Sequence, residues 1–153
     1  MAAREPLVEV VDPQGIGPAA APVVALARAV LDAERASGLV VVAFVDEDSI
    51  ADLNTRYRLP ESTDVLSFRS DEACEPWPEV ASVRELGEVV ICPAVVQRYA
   101  IEERVPGSRQ LGWTLVHGVL HLLGYDHECD HGEMRVREKE LIELLTPLID
   151  CLQ

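Results

Sequence analysis

All four histidines of this chain, His117, His121, His127 and His131, fall within one short stretch, and the first three lie inside HGVLHLLGYDH. That run prescribes a helix, its end and a turn. His117 and His121 stand one helical turn apart on a shared face, so two imidazoles reach the same point in space. Leu115, Val116, Val119, Leu120, Leu122 and Leu123 make the segment apolar almost all round, the pattern of a buried helix. Gly124 then breaks the helix, because glycine accepts the left-handed conformation in which many helices end, and the chain can turn back to bring His127 to the same point. Imidazoles buried in such surroundings cost free energy unless they are partnered. Any one of these histidines alone would read as a satisfied core or surface residue. Three at this spacing, with a fourth position left open, read as the ligands of a catalytic zinc ion. His131 reads as an exposed residue at the start of the last helix, and Cys129 as a thiol outside the ligand set.

The spacing His-x3-His-x2-Gly-x2-His also matches the zinc signature of metzincin proteases, with one substitution that matters. Where those enzymes carry a glutamate that activates the zinc-bound water, this chain has Gly118. Peptide hydrolysis by that route loses its general base, while the metal-binding spacing survives.

HGVLHLLGYDH, together with LNTRYR (Leu53 to Arg58), TDVLSF (Thr63 to Phe68) and LGEVVIC (Leu86 to Cys92), resembles the YbeY family of single-strand-specific endoribonucleases, with the blocks in the family's order. The resemblance implies a zinc-dependent endoribonuclease, one ion per chain, that matures the 3′ end of small-subunit ribosomal RNA and takes part in ribosome quality control. It implies His117, His121 and His127 as metal ligands and Arg58 as the arginine that contacts RNA phosphate. A small-subunit ribosomal protein and an Era-type GTPase are the protein partners it suggests. The chain departs from the family in a shorter linker between Arg58 and Thr63, in Ser62 where proline commonly precedes the threonine, and in Arg69 where proline often follows the phenylalanine.

Charge runs against an RNA substrate. Thirteen basic residues against 27 acidic ones leave a net charge of −14, whereas an RNA-binding surface is expected to be basic. The basic residues are nevertheless almost all arginines, whose planar fork suits bidentate contact with phosphate. Arg56, Arg58 and Arg69 flank TDVLSF, and Arg98, Arg104 and Arg109 precede the histidine helix. Arginines other than Arg58 read as solvated and paired with neighbouring acids. Thr63, Ser67 and Arg69 are candidates for polar contact with substrate.

The length of 153 residues suits one domain spanning 1–153. MAAREPLVEV lacks a secretory pattern, and the apolar stretch Ala19 to Val30 is interrupted by Pro22 and Arg28, so neither a signal peptide nor a membrane span is expected and the expected compartment is the cytoplasm. Cys74, Cys92, Cys129 and Cys151 lack paired spacing and read as reduced thiols.

Along the chain, Pro6 to Val11 reads as a strand, Pro22 to Ala36 as a helix with an apolar stripe, and valine-rich Leu39 to Val45 as a strand buried on both faces. Asp46 or Asp48 caps a helix carrying Ile50, Leu53 and Asn54. Asp64 to Phe68 and Glu88 to Cys92 read as strands separated by an acidic loop, Asp71 to Arg84. Pro93 starts a helix to about Glu103, Pro106-Gly107 precedes the histidine helix, and a last helix begins at Glu133. The expected fold is α/β (α+β): a small mixed sheet of about four strands packed with about five helices, bearing a metzincin-like zinc site.

The proton acceptor stays open among a metal-activated water, the ribose 2′-hydroxyl and a carboxylate such as Glu88. Two other functions fit the same residues: a zinc hydrolase of another substrate class, and a ribosome-assembly factor with a structural zinc. DNA is not an expected partner.

Overall fold

A computed structural model of the chain describes residues 6–56, 64–69, 85–126 and 130–152. Its elements, in chain order, are β1 (Leu7–Val11), α1 (Ala20–Ala33), β2 (Leu39–Phe44), α2 (Glu47–Arg56), β3 (Val65–Arg69), β4 (Glu85–Ile91), α3 (Pro93–Glu103), α4 (Gly107–Leu122), α5 (Glu133–Leu144) and the single-turn α6 (Thr146–Ile149). The strands form one four-stranded mixed sheet in the order β1-β2-β4-β3. β1, β2 and β4 run parallel, and β3 lies antiparallel to β4 at the edge. The expected architecture is thus present, with α6 as an added turn.

The parallel pair β1–β2 needs a crossover, and α1 supplies it by burying Val23, Leu26, Ala27, Val30 and Leu31, the stripe legible in the sequence. This helix stops at Ala33, three residues before the end expected from sequence. Arg35 takes a left-handed φ of 54°, and the amides of Arg35 and Ala36 close onto the carbonyls of Asp32 and Leu31. Two apolar layers clamp the sheet. On one face Val89 and Ile91 of β4 pack with Val116, Val119 and Leu120 of α4 and with the stripe of α1. On the other, Leu66, Val90 and Cys92 pack with Ile50 of α2 and Val95 of α3. β2 lies between both layers, as its unbroken apolar run requires. Asp46 caps α2 by accepting the Ser49 amide at 2.8 Å.

The antiparallel edge strand β3 sits directly under α4. Gly118 makes this approach possible: a Cβ there would lie 2.7 Å from Val89 Cγ1, 3.3 Å from Val65 Cγ2 and 3.4 Å from Ser67 Oγ. A side chain at the position that holds the catalytic glutamate in metzincins would therefore force the packing of helix on sheet to shift. No described helix is long and apolar enough to cross a membrane. Residues 71–84, expected as an acidic loop, fall outside the described residues.

Candidate metal centre

α4 carries Trp113, His117 and His121 at successive fourth positions, so their side chains form one stripe along the helix. The Nε2 atoms of His117 and His121 are 3.1 Å apart, with the rings nearly perpendicular at 79°. Trp113 stacks on His117 from the other side, centroids 5.2 Å apart and planes inclined by 28°. The helix ends at Leu122, just before the glycine, as the sequence predicts. Gly124 has φ 101°, its amide reaches the His121 carbonyl, and the Tyr125 amide reaches the Leu120 carbonyl. These two bonds form a Schellman end, which turns the chain directly after His121.

A residue absent from the sequence-based set completes the orientation of His117. Glu138 of α5, only 7 % exposed, places Oε1 against His117 Nδ1 in a hydrogen bond. A carboxylate accepts, so the imidazole donates its Nδ1 hydrogen and keeps its lone pair on Nε2, the atom facing His121. Carboxylate, imidazole and metal commonly stand in this order, the carboxylate fixing tautomer and ring direction. The signal was present in the sequence: Glu138 falls on the same stripe as Met134 and Leu141, where an amphipathic helix turns its apolar side inward.

The donor set fits a divalent ion. Two imidazole nitrogens 3.1 Å apart can both lie at ordinary zinc–nitrogen lengths of about 2.0–2.1 Å from one ion. Among the described residues no group of three His, Cys, Asp or Glu side chains forms a complete metal cluster. The third expected ligand, His127, falls outside the described residues, as do Arg58, Thr63 and Cys129. His131 is exposed just before α5.

Ser67 and Arg69 sit on the α4 side of β3. The Ser67 hydroxyl donates to the Gly118 carbonyl at 3.0 Å, which ties strand to helix beside the imidazoles. Arg69 pairs across the sheet with Gly87 and lines a cavity of about 300 Å³ beside Leu122 and Leu123. Glu88, the carboxylate suggested as a base, is exposed on the opposite face. Side chains alternate along a strand, and Glu88 pairs with Phe68, which packs in the layer away from α4. It therefore has no access to the imidazoles.

A second missed contact fixes the start of β3. Asp64, immediately after Thr63, is buried, and its Oδ2 lies 3.0 Å from the hydroxyl of Thr114, three residues before His117. Beyond the turn, Tyr125 donates its phenolic hydrogen to Glu34 of α1 at 2.9 Å, and Glu34 is also held by Arg137 of α5. Burial, followed by the Glu34 hydrogen bond and its negative charge, pushes the Tyr125 phenol above its usual value of 10.0. Arginines Arg56 and Arg98 pair with Asp52 and Glu47 at 3.1 Å on the exposed surface, as expected from their neighbours.

The family model for Endoribonuclease YbeY matches residues 17–146. The chain is 46% identical to an Endoribonuclease YbeY of Parafrankia sp. over 110 residues, covering 67% of this chain and 69% of that protein. It is 44% identical to the one of Thermobifida fusca over 125 residues, covering 76% and 79% respectively. Its fold resembles the solution structure of TM1509 from Thermotoga maritima, with TM-score 0.61 and 26% identity over 92% of this chain and 91% of that one.

Proposed function

Because the chain belongs to the endoribonuclease YbeY family and is accordingly an endoribonuclease, we propose that it cuts single-stranded RNA at a centre built from His117, His121 and His127 around one zinc ion, in maturation of the 3′ end of small-subunit ribosomal RNA. The observation that carries this reading is the pair of Nε2 atoms 3.1 Å apart, one of them oriented by buried Glu138. Two imidazoles packed on edge in an apolar helix are costly to hold unless a shared partner repays it.

When bound, the ion supplies Lewis acidity toward a phosphodiester oxygen or an attacking water. The chain's residues divide the remaining work. Glu138 holds the Nδ1 hydrogen of His117 and so presents its Nε2 lone pair toward His121. Arg58 is assigned to the charge that accumulates on the phosphate as the bond breaks. Ser67 and Asp64 keep β3 in register against α4. Gly118 supplies no carboxylate, and Glu88 lies on the far face of the sheet. The cytoplasm is the proposed compartment, and a small-subunit ribosomal protein and an Era-type GTPase are the proposed partners.

Cleavage of end-labelled single-stranded RNA, and of the same strand annealed to its complement, tests this reading. The protein is assayed with a chelator and again after zinc is restored, with circular dichroism followed throughout. Cutting of the single strand that is lost on chelation and regained with zinc, without loss of helix signal, is the expected result. Unfolding on chelation with no cutting in any state would assign the ion to structure alone.

A further inference from the structure

Trp113 is 37 % exposed, a large aromatic surface left in water beside the imidazoles. One part of it stacks on His117. It also lines a cavity of about 610 Å³ between the C-terminal half of α3 and the first two turns of α4, with Tyr99, Arg109, Asp64, Glu102 and Glu103. Three carboxylates and one guanidinium make this wall hostile to phosphate. They suit something planar and uncharged that donates hydrogen bonds at its edge.

We infer that this cavity is a nucleobase subsite of the RNA site, in which Trp113 stacks on a base carrying an exocyclic amine, adenine, cytosine or guanine but not uracil, next to the imidazole centre. The inference rests on the endoribonuclease reading and names how that site grips its substrate. Aromatic side chains bind single-stranded nucleic acid by stacking on base faces, which needs no basic footprint. Carboxylates accept from the amino groups of cytosine, adenine and guanine, whereas uracil offers oxygen where cytosine has its amine. The position is continuous with the centre because the same indole touches His117. A chain with net charge −14 gains little long-range attraction for phosphate, so base stacking is the contribution its surface can offer.

The test uses the full-length chain with Trp77→Phe, which leaves Trp113 as its one tryptophan. Adenosine, cytidine and uridine, which contain no bond for a nuclease to cut, are titrated while indole fluorescence is read. Saturable quenching by adenosine and cytidine, with uridine at least roughly tenfold weaker, is expected. Quenching by no nucleoside, or equally by all three, overturns the subsite whether or not the protein cuts RNA. In parallel, Trp113→Leu and Trp113→Tyr are assayed on single-stranded RNA with bound metal measured. The leucine variant should raise KM by roughly tenfold with kcat and metal content held, and tyrosine should restore most of the loss. A fall in kcat or metal content at unchanged KM would instead make Trp113 a support for the His117 ring and overturn the proposal. Amine-dependent quenching by a protein that cuts no RNA would keep the base site and reject the nuclease reading.

Discussion

Glu138 of α5 accepts the Nδ1 hydrogen of His117 on α4, so the last long helix fixes the direction of an imidazole carried by its neighbour. Both side chains are largely withdrawn from water, 9% and 18% exposed respectively, and each is the other's means of satisfying a buried polar group. The contact couples the packing of α5 to the geometry of the centre. Met134 and Leu141, one turn on either side of Glu138, hold that helix down.

Glu138→Ala should weaken metal binding by about 10–100-fold, the usual effect of removing a carboxylate behind a ligating histidine. Glu138→Gln keeps an acceptor and should lose less. Competition with a chromophoric chelator reads both. Affinity equal to that of the unaltered chain in Glu138→Ala would confine the contact to folding.

Gly118→Ala decides whether packing excludes a side chain at the metzincin glutamate position. In an exposed helix the change would stabilise by about 1 kcal/mol. Here the added carbon meets Val89 Cγ1 at 2.7 Å, so a loss of about 1–3 kcal/mol is expected in urea unfolding. Val89→Ala combined with it should recover part of the loss, and a stabilised single variant would contradict the packing account.

Thr114→Val removes the hydroxyl beside buried Asp64 while keeping the side chain's shape. The carboxylate loses that hydrogen bond, and unfolding free energy should fall by about 1–3 kcal/mol. Val introduced at the exposed Thr55 serves as the control, since its hydroxyl only caps back onto its own helix at Ala51.

Tyr125 makes stability sensitive to alkali. Its folded-state phenol titrates above the unfolded value near 10, because burial and Glu34 disfavour the phenolate. The folded state therefore holds the proton longer. The stabilisation is fully present below about pH 10 and is lost as pH rises from there through the folded value. Tyr125→Phe should cost about 1 kcal/mol at neutral pH through the lost Glu34 hydrogen bond, and should flatten the decline above pH 10 in urea midpoints. An alkaline decline as steep in the variant would place its origin elsewhere.

The order of strands and helices was legible because each announces itself locally. Leu39–Phe44 is an unbroken apolar run, Pro93 opens α3, and Gly124 ends α4 where the left-handed residue was needed. Helix ends closed by other residues were less legible. Arg35 adopts a left-handed φ with no glycine to mark it, so α1 ends early, whereas α3 ends at Glu103 as expected although Arg104 takes the same conformation. Sheet register was hidden as well. Glu88 is as close in sequence to Val89 as any neighbour, and only the pleat with its pairing to Phe68 puts it on the face away from α4. Of the centre, the imidazole pair was readable from its one-turn spacing. Glu138 showed only as a carboxylate on the apolar stripe of its helix, with no sign of its partner, and Asp64, Thr114 and Trp113 showed not at all, because their roles depend on contacts across 21 residues or more or on a stacked ring.

The central claim is that the imidazoles hold an ion on which RNA cleavage depends. RNA cutting and bound metal, measured together on wild type, His121→Ala and Arg58→Ala, test it most directly. The account predicts that wild type carries one zinc ion and cuts, and that His121→Ala loses both. Arg58→Ala should keep the ion while cutting about 100- to 1,000-fold more slowly. His121→Ala cutting at the wild-type rate would contradict the account.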